Sequence, residues 1–379
     1  MTVALGLMSG TSMDGVDAVV CEITPRKNSH PAISFIAHAK VSYPADIKRR
    51  LMEVSGPHGS AQEICALDPA VGDVFAKVAL KAIGLAEKRG FKVDAIGSHG
   101  QTVRHLPKER STLQIGSPSI IAKKTGVAVW SGFRNADMAR GGQGAPLAPI
   151  VHLPLFGDRE KDVAVVNIGG IANITFIPGG ASSFKQVLAY DTGPGNMLID
   201  YAVEKAGLGA YDRSGRVAAR GKINEKLLSR LASHPYFKRI PPKSTGREDF
   251  GGDVFFRRAG TGVKWNANLV ATVTELTAVT IASEIKRTAS GSRKPLSVVV
   301  CGGGAKNLFL LTRLWNHLQD AADDVEVGSS SAFGFPAEYV EGALMALLAH
   351  YAMTKTRLDL SSVTGAVGEP GILGSLTPA

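Results

Sequence analysis

Val163-Ala164-Val165-Val166-Asn167-Ile168-Gly169-Gly170-Ile171-Ala172-Asn173-Ile174-Thr175-Phe176-Ile177 is the stretch that decides the fold. Val163 to Ile168 is an apolar run of strand length, Gly169 and Gly170 turn the chain, and Ile171 to Ile177 returns it. The chain opens on the same plan. Val3 to Met8 is apolar, Ser9 to Gly15 is a turn-rich loop, and Val16 to Ile23 alternates polar with apolar residues. Further strands are expected at Ile33 to Val41, Val93 to Gly97, Val127 to Trp130, Gln186 to Tyr190 and Leu296 to Cys301. Ala61 to Lys88 reads as helix interrupted near Pro69. Asn196 to Ala206, Asn268 to Thr288 (amphipathic), Ala305 to Leu318 and Pro336 to Met353 read as the other long helices. A hairpin followed by mixed strands and helices thus occurs twice. The expected fold is α/β and two-lobed, a duplicated mixed β-sheet with flanking helices. The boundary is expected near residue 131: residues 1–130 with a tail from about 355 to 379 form the first lobe, and 131–354 the second.

The 379 residues exceed one ordinary compact core, and 44% hydrophobic with 20% charged residues is globular composition. The net charge of +10 suits an anionic substrate, but Lys and Arg are scattered without interleaved aromatics, so no nucleic-acid partner is expected. Cys21, Cys65 and Cys301 lie far apart with no CxxC pair, which argues against a disulfide framework or a zinc site. They read as buried small hydrophobes in a reducing compartment. No apolar run reaches the ~18 residues of a membrane span. The first residues lack a basic n-region, so a cytoplasmic location without a membrane partner is expected.

The common nucleotide motifs are absent: there is no GxxxxGK[ST] loop and no GxGxxG opening a helix. Ser9-Gly10-Thr11-Ser12-Met13-Asp14-Gly15 offers another device. Its amides and hydroxyls can form an anion-binding concavity, and Asp14 could orient a magnesium-bound water. An ordinary hairpin loop is the competing reading. Asn167, Gly169, Gly170 and Asn173 make a second such loop. Gly302, Gly303 and Gly304, with Asn307 beyond them, make a third at a helix start, where anions are favoured. Asp191, before Thr192-Gly193-Pro194-Gly195-Asn196, is placed at a strand end as a general base, or else as a helix cap. His99, Gln101 and Thr102 are candidates for sugar hydroxyls. Arg134, with Asp137, could clamp a carboxylate or form a surface ion pair. Gln143, in a glycine-rich segment, is another polar candidate. Arg247, in Thr245-Gly246-Arg247-Glu248, is a phosphate contact or a solvated charge. Glu338 and Glu341 share a helix face.

Gly6 to Gly15 resembles the opening of the anhydro-N-acetylmuramic acid kinases. The match continues in the family's order through Gly97 to Thr102, Gly141 to Leu147, Asn167 to Asn173, Asp191 to Asn196, Thr245 to Glu248 and Cys301 to Gly304. The resemblance spans nearly the whole chain. It implies the actin-like, sugar kinase/Hsp70 ATPase fold, whose lobes are ribonuclease H-like. It implies that water opens a 1,6-anhydro sugar while O6 takes the γ-phosphate of ATP, giving N-acetylmuramic acid 6-phosphate and ADP during cell-wall recycling. Asp191 maps onto the family's base. ATP, Mg²⁺ and a homodimer are also implied, and Gly193, Gly195, Asn196 and Glu341 join the sugar-side set. The chain departs from the family at Gly132 and Ala332, where acidic residues are usual. Levoglucosan, another anhydro sugar, and a non-catalytic binding role therefore stand as alternatives.

Overall fold

A computed structural model of the chain describes residues 1–10, 12–27, 29–56, 59–258, 263–322 and 324–379. Two compact units emerge: residues 1–155, 182–185 and 339–379 form unit 1, and 156–181 with 186–338 form unit 2. The expected boundaries near 131 and 354 differ from this division. Residues 131–155 stay with unit 1 because the helix Phe133–Met138 follows directly on the strand Val129–Ser131 of that unit. Residues 339–354 join it because the helix Val340–Met353 packs on its central strands.

Unit 1 is built on β1 (Thr2–Met8), β2 (Gly15–Arg26), β3 (Ser29–Ser42), β4 (Ala95–Ser98), the hairpin β5 (Gln101–Leu106) and β6 (Ser111–Ile115), and β7 (Val129–Ser131). The main sheet runs β3-β2-β1-β4-β7 and ends on the strand Ser375–Thr377. β1 pairs antiparallel with β2 and parallel with β4. It is almost wholly buried, which is why it reads as an unbroken apolar run. The Val340–Met353 helix lies so close to the sheet that glycines are required. A Cβ on Gly6 would overlap the Gly342 carbonyl, and one on Gly97 would overlap that of Met345. The other notable helix, Ala61–Glu87, runs unbroken through Pro69, contrary to expectation. Its face of Leu67, Val71, Val74, Phe75 and Val78 is buried in the unit's core, and that burial outweighs one lost hydrogen bond.

Unit 2 repeats the order: β8 (Asp162–Ile168), β9 (Ile171–Ile177), β10 (Leu188–Pro194), β11 (Leu296–Cys301) and β12 (Val325–Ser329) form a sheet β10-β9-β8-β11-β12. In both sheets the strands stand third-second-first-fourth-fifth, with the second strand antiparallel to the first and the fourth parallel to it. That is the ribonuclease H-like order, used twice, as the two hairpins foretold. The Ala267–Ala289 helix is not simply amphipathic. It is buried on most of its circumference, because Ile281 and Ile285 join one apolar cluster and Val270 and Val273 join another. Its buried threonines satisfy their hydroxyls on the preceding turn, Thr274 to the Val270 carbonyl at 2.8 Å for example. Cys21 and Cys301 are buried as expected, whereas Cys65 lies exposed on a helix. No described helix is long and apolar enough to cross a membrane.

Candidate active site

In unit 1 the polar groups gather beyond the carboxyl ends of parallel strands, the usual ligand edge of an α/β sheet. β1 and β4 end side by side, and the His99 amide donates to the Leu7 carbonyl at 3.0 Å. Ser9, buried, has its hydroxyl 2.8 Å from the Gly15 carbonyl and 2.7 Å from Gln101 Oε1, so its single proton serves one or the other. Tyr43 donates to Ser9 Oγ at 3.2 Å, and Gln101 Nε2 donates to the Gly10 carbonyl at 3.3 Å. Ser9, Gln101 and Tyr43 therefore brace the loop from beneath. Gln101, expected on the sugar, is fully buried in this brace. Tyr43 went unseen because a tyrosine at a strand end carries no motif signal.

Within the loop, Thr11 lies outside the described residues. Ser12 and Asp14 are exposed, and the Ser12 hydroxyl donates to Asp14 Oδ1, which holds that carboxyl below the usual range. Met13 was expected at the nucleotide. Its side chain instead sits in the core of unit 1, while its backbone adopts φ 52° and donates to the Gly10 carbonyl at 3.3 Å. A non-glycine residue held left-handed costs about 1 kcal/mol, and the buried side chain offsets it. Met13 thus anchors the turn through its buried side chain.

His99 and Arg134 fix each other. Arg134 Nε donates to His99 Nε2 at 2.9 Å, so Nδ1 carries the proton and donates to the Gly100 carbonyl at 2.8 Å. Burial, and then Arg134, push the imidazole down to about 3, so it is neutral at ordinary pH. Arg134 Nη1 donates to the Gly144 carbonyl at 2.7 Å, while Nη2 has no partner among the described residues. Asp137 is only 1% exposed and has both oxygens committed, to the Gly144 amide and the Thr364 hydroxyl, each at 2.7 Å. It holds the glycine-rich segment rather than offering itself to a ligand. Gln143 keeps an exposed side chain and donates its amide to the Thr364 carbonyl at 2.9 Å. Thr102 Oγ1 accepts from Gln114 at 3.3 Å. Glu341, in the first turn of its helix, is reached by solvent; the surrounding protein raises its carboxyl, Arg134 lowers it, and Asp17 raises it further.

In unit 2 the register draws a polar row across three strands. Asp191 on β10 pairs with Asn173 on β9, which pairs with Asn167 on β8. Directly opposed residues share a face, so three half-buried polar side chains line one edge of an otherwise apolar sheet. Asp191 lies inside β10, not after it. Thr192 is the extra residue of a bulge, donating its hydroxyl to the Ala172 carbonyl at 3.1 Å. Bulges re-aim side chains near active sites. Asp191 Oδ2 accepts from the Thr245 amide at 3.0 Å, and Oδ1 has no partner among the described residues. Burial above all pushes the carboxyl up to about 6; the Thr245 amide pulls it down and Glu248 pushes it up. A capping role for Asp191 is thereby set aside.

The glycine loops of unit 2 pack into one another. The Gly169 carbonyl accepts the Asn196 amide at 2.7 Å, and the Gly170 carbonyl accepts those of Gly195 and Met197 at 2.9 and 3.1 Å. Gly195 and Asn196, expected on the sugar, thus spend their amides on the hairpin turn. Gly193 packs against Phe237. Gly302 takes φ 74°, and a Cβ there would stand 2.5 Å from Asn167 Oδ1. Gly304 packs on Ile168, while Gly303 is less confined. Asn307 is spent on its own chain: it caps the helix Leu308–Leu318, accepting the Leu310 amide at 3.0 Å. Beside Gly170 opens a cavity of about 480 Å³ lined by Met197, Asp200, Tyr201, Arg247 and Asp253. Asp200, which no motif signalled, is pushed up to about 6 by burial and by Asp212.

No group of three or more His, Cys, Asp or Glu could hold a metal among the described residues. A lone ionised Asp14 still fits Mg²⁺, which takes one or two carboxylates, retained waters and substrate phosphates.

The family model described as anhydro-N-acetylmuramic acid kinase matches residues 2–379. A relative of that name from Variovorax paradoxus is 40% identical over 382 residues, covering 99% of this chain and 98% of its own. One from Gloeobacter violaceus is 40% identical over 388 residues, covering 100% and 99%. Among solved structures, a ROK family glucokinase from Streptomyces griseus in complex with glucose and AMPPNP covers 92% of this chain and 99% of its own, with 13% identity and a TM-score of 0.40, too distant to bear on function.

Proposed function

This chain belongs to the anhydro-N-acetylmuramic acid kinase family and is a kinase of that class, and on that premise we propose how its residues divide the work. Asp191 takes a proton from water. The water oxygen bonds to C1 of the anhydro sugar as the C1–O6 bond breaks. O6 bonds to the γ-phosphorus of ATP as the bond to the β–γ bridging oxygen breaks, releasing ADP. The proton on Asp191 then passes to solvent. The products are N-acetylmuramic acid 6-phosphate and ADP.

The observation that carries this reading is the state of Asp191: one oxygen fixed by an amide, the other without a partner among the described residues, and a carboxyl raised to about 6. A base with that value is ionised at neutral pH and still basic enough to take a proton. Activity should therefore fall as pH drops through about 6, as a pH–rate profile would read.

In unit 1 we assign the Ser9–Gly15 turn to the nucleotide phosphates; in unit 2 we assign Asn167, Gly169, Gly170, Asn173 and Gly302 to Gly304 to the nucleotide. Phosphoryl transfer asks mainly for such positioning and charge neutralisation. Asp14 would hold Mg²⁺, which when bound neutralises phosphate charge. Arg134, whose Nη2 has no partner among the described residues, meets the lactyl carboxylate, and Thr102, Gln143 and Glu341 meet the remaining polar groups of the sugar. We assign the protein to the cytoplasm, to cell-wall recycling and to a homodimer on the strength of the family.

The test is ADP release measured with 1,6-anhydro-N-acetylmuramic acid and with levoglucosan, which lacks the lactyl carboxylate. Turnover on the amino sugar, with levoglucosan at least about tenfold poorer in kcat/KM, is expected from a charge-assisted contact. Equal turnover on both would remove Arg134 from that role, and turnover on neither would defeat the reading.

A further inference from the structure

The loop that caps Asp191 has no helix or strand of its own. The segment from Ile240 to Gly246 is irregular, yet it meets β10 twice: the Asp191 amide donates to the Lys243 carbonyl at 3.1 Å, and the Thr245 amide donates to Asp191 Oδ2 at 3.0 Å. What holds this segment in place is the Lys243 side chain. It is 2% exposed and reaches Glu284 on the Ala267–Ala289 helix at 2.6 Å, crossing the ring of Tyr236 at 4.9 Å. Tyr236 in turn donates its hydroxyl to the Asp191 carbonyl at 2.7 Å. Glu284 also accepts from Tyr190, the residue before Asp191, at 3.0 Å, and pairs with Arg287. One buried carboxylate therefore gathers both the strand that carries the base and the segment that donates to it.

We propose that the Lys243–Glu284 ion pair positions the base, setting the orientation and basicity of Asp191 by pinning the Thr245 amide to its Oδ2. The proposal rests on the reading of Asp191 as the base. Lys243 is a positioning residue, since it touches Asp191 only through its backbone. The pair is not needed to neutralise Glu284, because Arg287 remains bound to it, so removing the lysine leaves no lone buried charge. The groups around Asp191 are the Thr245 amide on Oδ2, the Tyr236 hydroxyl on its backbone carbonyl and the Glu248 carboxylate, with Asp249 held behind by the Thr245 hydroxyl at 2.9 Å. Of these, only the amide favours the ionised form of Asp191. Losing it raises the apparent value of the base.

The experiment compares the parent, Lys243→Met and Asp191→Asn in pH–rate profiles, with ATP affinity measured alongside. Lys243→Met is expected to lower kcat by about tenfold to a hundredfold, the effect of a small misplacement of a reacting group. Its acidic limb should move to higher pH by up to about one pH unit while ATP affinity is kept. If the variant fails to fold, Lys243→Met combined with Glu284→Gln, which removes both charges of the pair together, carries the same expectation. A parental limb in a folded variant, even one of lowered stability, would make the pair merely structural and overturn the proposal. Asp191→Asn separates the two readings. Activity in that variant defeats the base assignment itself, whereas an inactive Asp191→Asn beside a parental Lys243→Met limb defeats only the positioning role.

Discussion

Asp191→Asn is expected to lower kcat by about 10²–10⁴-fold, the range for loss of a general base, with ATP affinity unchanged within about threefold. The substitution isolates basicity. An amide oxygen can still accept from the Thr245 amide, now 3.0 Å from Oδ2, so the side chain keeps its place. The groups assigned to the nucleotide are other residues, which the change leaves alone. Stability should move the other way. The folded-state carboxyl is raised to about 6 from an ordinary 3.8, so between those values the native state binds more protons than the unfolded one. Wild-type stability therefore declines as pH rises through that window, and an uncharged side chain escapes the decline. At pH 7 the variant should melt at the parental temperature or above it. Steady-state kinetics, nucleotide titration and a thermal melt check the three parts. Parental turnover would remove Asp191 from the base role.

The second large effect lies far from the chemistry. Gly97→Val is expected to destabilise unit 1 by about 3 kcal/mol or more, the upper end of overpacking costs. A Cβ at Gly97 meets the Met345 carbonyl and the Ala349 side chain, and the first is helix backbone that cannot rotate away. Relief requires lifting the Val340–Met353 helix from β1 and β4. Glu341 lies in the first turn of that helix, so any surviving fold should also show a weakened sugar side. Gly84→Ala is the control. It sits in the Ala61–Glu87 helix with nothing within 4 Å of the added methyl, and a gain of about 0.5–1 kcal/mol is expected. Denaturant titrations of the two variants should diverge in opposite directions from the parent.

These two positions also show what a sequence can reveal. The hairpin at Val163 to Ile177 and its counterpart at the N-terminus were legible because an apolar period and a glycine turn are local. The duplicated sheet followed from them. Asp191 stood out in the sequence as a candidate base, but its place within β10 did not, since a bulge at Thr192 depends on pairing with β9. Met13 and Gln101 sit in recognisable motifs, yet their side chains turned out to support the loop rather than meet a ligand. Asn307 and Asp137 misled for a related reason: each sits beside glycines but serves its own backbone, one as a helix cap and one as a loop brace. Tyr43, Lys243 and Glu284 carried no signal at all. Their partners lie tens of residues away, and only tertiary packing joins them. The unit boundaries differ from the expected ones because the late Val340–Met353 helix packs on the first sheet and residues 131–155 stay with it.

The central claim is that water opens the ring at C1 while O6 takes the phosphoryl group. Turnover in ¹⁸O-labelled water tests it most directly. One label is expected on the C1 oxygen of the sugar phosphate, above what unlabelled product acquires by anomeric exchange in the same water, and none in its phosphoryl group. Label in the phosphate, or a phosphorylated sugar whose C1 oxygen is unlabelled, would contradict it.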